Sequence, residues 1–498
     1  MLLIPAGPNP ARDDNADIEE HDVADDTGRP GPAEANASSE AGGAFDIVIL
    51  GGGSGGYAAA FRAAELGKRV ALIEKDKVGG TCLHYGCIPT KALLHAAEVA
   101  DYARESEQFG VKTTFEGVDV AGVHTYKDGI VSRLYKGLQG LVKAHKITLV
   151  QGAGRLVGPK TVEVDGVRYE GTDIVLATGS YARSLPGLEI DGTKVISSYE
   201  ALTLDRVPSS VVVLGGGVIG VEFASVWRSF GAEVTIVEAL PRLVPAEDET
   251  ASKTVERAFR KRGIGFKTGV RFSGVETTEA GVTVSLENGE TIEAELLLVA
   301  VGRGPVTEGL GYEEAGIALD RGFVPTDERL RTNVPGVYAV GDIVPGLQLA
   351  HRGFAHGIFV AEEIAGLNPV PIDDTGIPRV TYCDPEVASV GLTEAQAKER
   401  LGDDKVTTFE YNLGGNGKSQ ILKTQGFVKL VREVDGPVLG VHMVGARVGE
   451  LVGEAQLIYN WEALPDEVAQ LIHAHPTQGE SLGEAHLALA GKPLHVHN

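Results

Sequence analysis

The chain has 498 residues, 43% of them hydrophobic and 23% charged, with a formal net charge of −24. That length suits about three domains, each large enough for its own core, and the acidic balance excludes nucleic acid and an anionic membrane surface as partners. Three cysteines are too few for a secreted disulfide framework, so a reducing cytoplasm is the expected compartment.

Residues 1–44 hold ten Asp/Glu against two Lys/Arg and are rich in Pro, Gly and Ala. They predict a disordered acidic tail, dispensable for folding and catalysis, because they cannot bury enough apolar area to offset their ordering entropy. Met1-Leu-Leu-Ile4 meets Pro5 at once with no basic region before it, unlike a signal peptide. The most apolar long stretch, Val211 to Trp227, carries Glu222 and four glycines. A soluble protein is expected.

Order begins at Phe45-Asp-Ile-Val-Ile-Leu50, a short apolar run suited to a buried parallel strand. Gly51-Gly-Gly53-Ser-Gly-Gly56, a helical stretch from Tyr57 to Leu66 and a second strand, Arg69 to Ile73, complete a βαβ unit ending at Glu74. The glycines allow a tight turn and close approach of a pyrophosphate to a helix N-terminus, and Glu74 stands where a ribose hydroxyl is accepted.

Gly79-Gly-Thr-Cys-Leu-His-Tyr-Gly-Cys-Ile-Pro-Thr-Lys91 follows, with Cys82 and Cys87 five residues apart. Four intervening residues can loop two sulfurs into bonding distance. Pro89 and the Ala/Leu run after it predict a helix start, which puts Cys87 at the positive end, where a thiolate is favoured. Lys91 lies one turn down the same face. A close cysteine pair beside a cation suits thiol–disulfide chemistry; two buried neighbouring cysteines are the plainer alternative.

The βαβ pattern recurs. Ser210 to Leu214, Gly215-Gly-Gly217-Val-Ile-Gly220 and Glu233 to Val237 end at Glu238, again 23 residues after the first glycine, so a second dinucleotide site is expected. Leu176-Ala-Thr-Gly-Ser180 and Leu298-Val-Ala-Val-Gly-Arg303 are apolar strands closing on a glycine, and Val337 to Val340 leads into Gly341-Asp342. From about Ile372 strand-like runs alternate with turn signals such as Asp435-Gly436, Thr393-Glu-Ala-Gln396 predicts a capping box, and helices are expected over about 449–461 and 465–473. Cys383 has no partner in sequence and is expected to be a small buried hydrophobe. Near the end stands His473-Ala-His475-Pro-Thr-Gln-Gly-Glu480, where a carboxylate could orient His475 as a base.

The cysteine stretch, the doubled glycine fingerprints and His-Pro-Thr-x-x-Glu together resemble the flavin-dependent pyridine nucleotide-disulfide oxidoreductases, and within them the dihydrolipoamide dehydrogenases more than the glutathione reductases. The resemblance covers nearly everything after residue 44. It implies an α/β fold with two Rossmann-like dinucleotide-binding domains, for FAD and for NAD, and a C-terminal α+β dimerisation domain. The implied boundaries are 45–190 for the FAD-binding domain with the redox disulfide, 191–318 for the NAD-binding domain, 319–372 for a central segment completing the FAD site, and 373–498 for the dimer-interface domain.

The resemblance also implies roles for individual residues. Cys82 and Cys87 form the redox disulfide, Cys82 being attacked by substrate and Cys87 facing the flavin. His475 with Glu480 is the base pair, and Lys91 with Glu222 the ion pair near the flavin. FAD is held by Gly51, Gly53, Gly56, Glu74, Thr81, Lys91, Gly154, Thr178, Gly179, Asp342 and Ala350. NAD is held by Gly215, Gly217, Gly220, Glu238, Val270 and Gly302, and no metal is implied. Expected partners are a second copy of the chain, with His475 of one serving Cys82 of the other, and lipoyl-bearing acyltransferase components of 2-oxoacid dehydrogenase complexes. Two departures stand out: His84-Tyr85 replace a common Asn-Val between the cysteines, and Val218 stands where some relatives have an aromatic lid over the flavin. The alternatives are a related reductase acting on a small-thiol disulfide, against which Glu238 argues because such enzymes draw on NADPH, and a flavin-binding scaffold. Mercuric reductase is disfavoured because no cysteine pair closes the C-terminus.

Overall fold

The structure, a computed structural model, describes residues 44–496. The expected tail over residues 1–44 lies outside the described residues except for Ala44, which opens the first strand.

Two parallel sheets carry the two glycine fingerprints. In the first, Thr148–Gln151, Val70–Glu74, Ala44–Leu50 and Val167–Leu176 lie side by side in that order, with Ile47 opposite Val70 and Asp173. The long strand Val167–Leu176 pairs antiparallel with Thr161–Val164 at its start and parallel with Val337–Ala339 at its end. A strand from far along the chain thereby returns to this sheet. The Ile47 to Leu50 run is buried on both faces, which is why it shows no alternation.

The second sheet is ordered Gly265–Thr268, Glu233–Glu238, Ser210–Leu214, Leu296–Val299 and Val195–Ile196, all parallel. The short strands Ser180–Ala182 and Arg303–Pro305 pair antiparallel, where the chain leaves the first sheet region and returns from the second.

The C-terminal part is an antiparallel five-stranded sheet, ordered Arg379–Thr381, Glu386–Gly391, Val438–Gly445, Phe427–Glu433 and Val406–Asn412. Asp435, at positive φ, turns the chain between the last two strands in sequence. Thr393 and Gln396 form the expected capping box on the helix Glu394–Leu401. Cys383 is buried, its S–H donating to Pro385 O, and packs with the core of the second sheet. A buried charged cluster joins these two parts. Lys429 Nζ lies 2.9 Å from Asp248 Oδ1 and 2.7 Å from Glu394 Oε2, while Ser389 Oγ donates to Glu247 Oε2.

One helix is shorter than expected. The stretch over 465–473 is helical only at Pro465–Val468. Beyond it Gln470 and Leu471 bond three residues back rather than four, and the chain opens into the loop of the two histidines, with Leu471 and Ile472 exposed. The next helix is Glu480–Leu489.

Candidate active site

The two glycine turns are built alike. Gly51 and Gly215 sit at φ +107° and +111°, a left-handed conformation that favours glycine. A Cβ on Gly56 would stand 1.8 Å from Gly51 O, and one on Gly220 would stand 1.9 Å from Gly215 O. Each helix therefore closes on its turn only because those residues lack side chains. Gly53 and Gly217 face open space, leaving room for a phosphate to approach. Glu74 accepts the Gly52 N–H at 2.7 Å, and Glu238 accepts the Gly216 N–H at 2.6 Å. Each carboxylate thus braces its own turn and keeps lone pairs for a ribose hydroxyl. These features fit a dinucleotide at each turn.

A cavity of about 1780 Å³ runs between the turns. Gly53, Thr81, Cys82, Cys87, Lys91, Gly179, Asp342 and Ala350 line it, as do Gly215, Gly217, Glu222, Glu238, Val270 and Gly302. Val218 also lines it and is 45% exposed, so no bulky side chain covers that side. Gly154 lies elsewhere, packed on Leu50 and Ile73. Thr178 turns its hydroxyl to Val306 O and the Tyr312 hydroxyl rather than into the cavity, so only its backbone is available there. Asp342 accepts from Ser180 Oγ, which in turn accepts from Arg303 Nε at 2.8 Å.

The cysteine pair rests directly on the first glycine turn. Gly79 N–H donates to Gly52 O at 2.8 Å, and a Cβ on Gly80 would come within 2.7 Å of Gly53 Cα. Cys82 stands on the short helix Gly80–Tyr85, and Cys87 is the first residue of the helix Cys87–Arg104. The two residues between the cysteines that depart from the common pattern both bond back to the preceding segment: His84 Nε2 to Val78 O at 3.0 Å, and Tyr85 OH to Asp76 Oδ2 at 2.7 Å.

The structure holds the cysteines as free thiols. The hydrogen bond between them raises the Cys82 thiol well above its ordinary value and lowers Cys87, with Lys91 also favouring the Cys87 thiolate. Of the two sulfurs, Cys87 is the one on which a thiolate is favoured. Lys91 Nζ lies 2.9 and 2.8 Å from the two carboxylate oxygens of Glu222, which is almost fully buried. Burial acts to lower the Lys91 pKa, yet Glu222 holds it above the ordinary lysine value. The ammonium stays charged.

His475 and Glu480 are joined as expected, Nδ1 to Oε1 at 2.8 Å, and Glu480 also accepts the Thr477 N–H at 2.7 Å. Burial raises the Glu480 carboxyl, but Thr477 and His475 outweigh it and hold the group below its ordinary value. This pair does not border the cavity. The His475 side chain is 78% exposed, and among the described residues its Nε2 has no hydrogen-bond partner.

Three contacts were not foreseen from sequence. His473 Nε2 pairs with Glu454 Oε1 at 2.8 Å, on the helix Val448–Asn460. Its ring lies against Gly483, where a Cβ would meet Nδ1 at 2.6 Å. Tyr382 places its ring over Lys91 and its main-chain N–H on Glu222 Oε1. Only His473 carried a local signal, its place two residues before His475.

The family model described as pyridine nucleotide-disulphide oxidoreductase matches residues 45–357, and the dimerisation domain of the same family matches residues 377–486. The dihydrolipoyl dehydrogenase of Bacillus subtilis is 43% identical over 471 residues, covering 91% of this chain and 99% of the relative. The mitochondrial dihydrolipoyl dehydrogenase of Pisum sativum is 41% identical, covering 91% of this chain and 92% of the relative. Among solved structures, LpdA from Mycobacterium tuberculosis superposes with a TM-score of 0.83 at 27% identity, over 89% of this chain and 99% of that one.

Proposed function

The chain belongs to the pyridine nucleotide-disulphide oxidoreductase family, and on that footing we propose that it is a dihydrolipoyl dehydrogenase, oxidising protein-bound dihydrolipoamide to lipoamide with reduction of NAD to NADH. Its cofactors are FAD and NAD. The observation that carries the reading is the neighbouring cysteine pair and the Lys91–Glu222 ion pair, lining one cavity with both glycine turns.

In the oxidised enzyme Cys82 and Cys87 are bonded. One thiol of dihydrolipoamide loses its proton to His475, oriented by Glu480, and the resulting thiolate attacks Cys82 Sγ. The Cys82–Cys87 bond breaks and Cys87 leaves as the thiolate, which Lys91 stabilises. The second substrate thiol then attacks its partner sulfur, closing the lipoamide ring and breaking the mixed disulfide, and the proton it gives up passes to the released Cys82 sulfur. Substrate is oxidised by two electrons and the cysteine pair is reduced by two. FAD, when bound, supplies the two-electron chemistry linking the dithiol to the nicotinamide. Gly51, Gly53, Gly56, Glu74, Thr81, Gly179, Asp342 and Ala350, with the Thr178 backbone, make up the FAD side of the site, whereas Gly154 supports it only from behind, through Leu50 and Ile73. Gly215, Gly217, Gly220, Glu238, Val270 and Gly302 make up the NAD side.

The match to a dimerisation domain supports a homodimer. The exposed, half-partnered His475 supports a site completed between two chains, His475 of one acting at Cys82 of the other. The further partners are lipoyl-bearing acyltransferases, and the compartment is the cytoplasm. Formation of NADH from dihydrolipoamide by the purified flavoprotein tests the activity. Its absence, with turnover of a small-thiol disulfide by NADPH instead, would overturn the reading. Glu238, beside the second turn, would hold the adenosine ribose of a bound NAD, and a 2′-phosphate there would meet a like charge, so NAD should exceed NADP in kcat/KM by about a hundredfold or more. Equal efficiencies would refute that role for Glu238.

A further inference from the structure

We propose that Tyr382 is a positioning residue of the redox centre, its ring and its main-chain N–H together holding Lys91 and Glu222 where the ammonium faces Cys87. The proposal rests on the reading of Lys91 as the cation that stabilises the Cys87 thiolate.

Tyr382 stands between the strands Arg379–Thr381 and Glu386–Gly391, on the C-terminal sheet, yet it borders the same cavity as the cysteines. Its N–H donates to Glu222 Oε1 at 2.9 Å, the oxygen that also accepts from Lys91 Nζ. Its ring centroid lies 4.8 Å from that Nζ, within range of a cation–π contact. Both members of the ion pair therefore touch this one residue. An edge of the ring meets the first turn of a helix, while 36% of the residue stays exposed. Gly449 opens the helix Val448–Asn460 against it, and a Cβ there would stand 3.6 Å from Tyr382 Cε1 and 3.0 Å from Val380 Cγ1.

The arrangement answers a specific weakness of lysine. Its ammonium ends a flexible four-carbon stem and attracts water strongly, and a third of the Lys91 side chain is open to the cavity. Glu222 draws the charge inward but fixes only two of its three N–H donors. An aromatic face takes up the cation without competing for the carboxylate. Remove that face and the ammonium can swing into the cavity, away from Cys87, leaving the thiolate less stabilised. Tyr382 acts through Lys91 and has no bond of its own to either sulfur.

The test uses the reduced holoenzyme and reads the long-wavelength absorbance of the Cys87 thiolate against the bound flavin as a function of pH. Tyr382→Phe keeps the face and should match the parent. Tyr382→Leu should keep its flavin, move the midpoint of the band up by about one unit, and lower kcat more than it changes KM. A series of fluorinated phenylalanines at 382 draws charge out of the ring while keeping its shape, so it bypasses any folding defect of the leucine variant; the midpoint should climb with each added fluorine. A midpoint unmoved across that series, while Lys91→Ala shifts it, overturns the role of Tyr382. A midpoint unmoved in Lys91→Ala itself overturns the reading of Lys91 and the proposal with it.

Discussion

The cysteine side and the histidine side of the proposed reaction are built in opposite ways. Cys82, Cys87, Lys91 and Glu222 lie in one cavity, the carboxylate almost fully buried and each charge opposed by another within the chain. His475 stands on an open loop with its imidazole mostly exposed, held on one side by Glu480 at the start of the next helix. Burial with full pairing suits groups that must hold charge at a fixed place. An exposed base fixed from behind suits a group that acts on something outside its own chain. On the proposed reading, the difference teaches that the thiol centre is finished by folding and the base by assembly.

The largest expected effect tests that division directly. His475→Gln should lower turnover by about 10²–10⁴-fold with flavin content unchanged. Mixing it with the equally inactive Cys82→Ser chain should restore activity, because each heterodimer has one site with both groups intact. If subunit exchange is demonstrated and activity does not return, the two residues act within a single chain and the comparison collapses.

A second test places the same substitution on each side. Glu222→Gln removes one partner of a buried ion pair and should cost about 3 kcal/mol of stability, read from the denaturation midpoint. Glu480→Gln, at the start of the helix that follows the open loop, should change stability by less than about 1 kcal/mol while still reducing turnover. Equal losses of stability would mean that the loop is as tightly built as the thiol centre.

The smallest effect is a pH dependence. Glu454 raises the His473 pKa, so the stabilisation from that pair is complete below the ordinary histidine value and is lost as pH rises through the raised one. The Glu480 carboxyl is held low, so its contribution is present above the ordinary carboxylate value and is lost as pH falls through the depressed one. Hydrogen exchange over residues 473–479 should therefore be slowest between those two ranges, quickening on either side by less than about 1 kcal/mol of opening free energy. The helix beginning at Cys87 should show no such window, because the Lys91 pKa is raised and its charge persists throughout.

Much of this was legible in the sequence because it is local. The strand, glycine turn, helix and acid of each βαβ unit occupy one short stretch, and both glutamates fall on strand ends beside their own turns. Cys87 opens its helix and Lys91 follows one turn later, as Pro89 and the spacing suggested. The expected helix over 465–473 failed because helical periodicity runs on past Val468, whereas the chain must turn out to present His475. Tyr382 carried no local sign of its contact with Lys91, since that contact depends on how the C-terminal sheet meets the helix of Glu222. The Lys429–Asp248–Glu394 cluster was hidden for the same reason: three charges from separate elements form a unit only after packing.

The helix Val448–Asn460 spans about 20 Å. Its first turn, at Gly449, presses on the ring above Lys91, and its Glu454 grips the histidine two places ahead of the base. In a dimer whose bases are exchanged, that rod leans on the reaction centre of its own chain while steadying the base lent to the other. A slide of the rod along its axis would then be registered at both centres at once, like a beam resting on two scales.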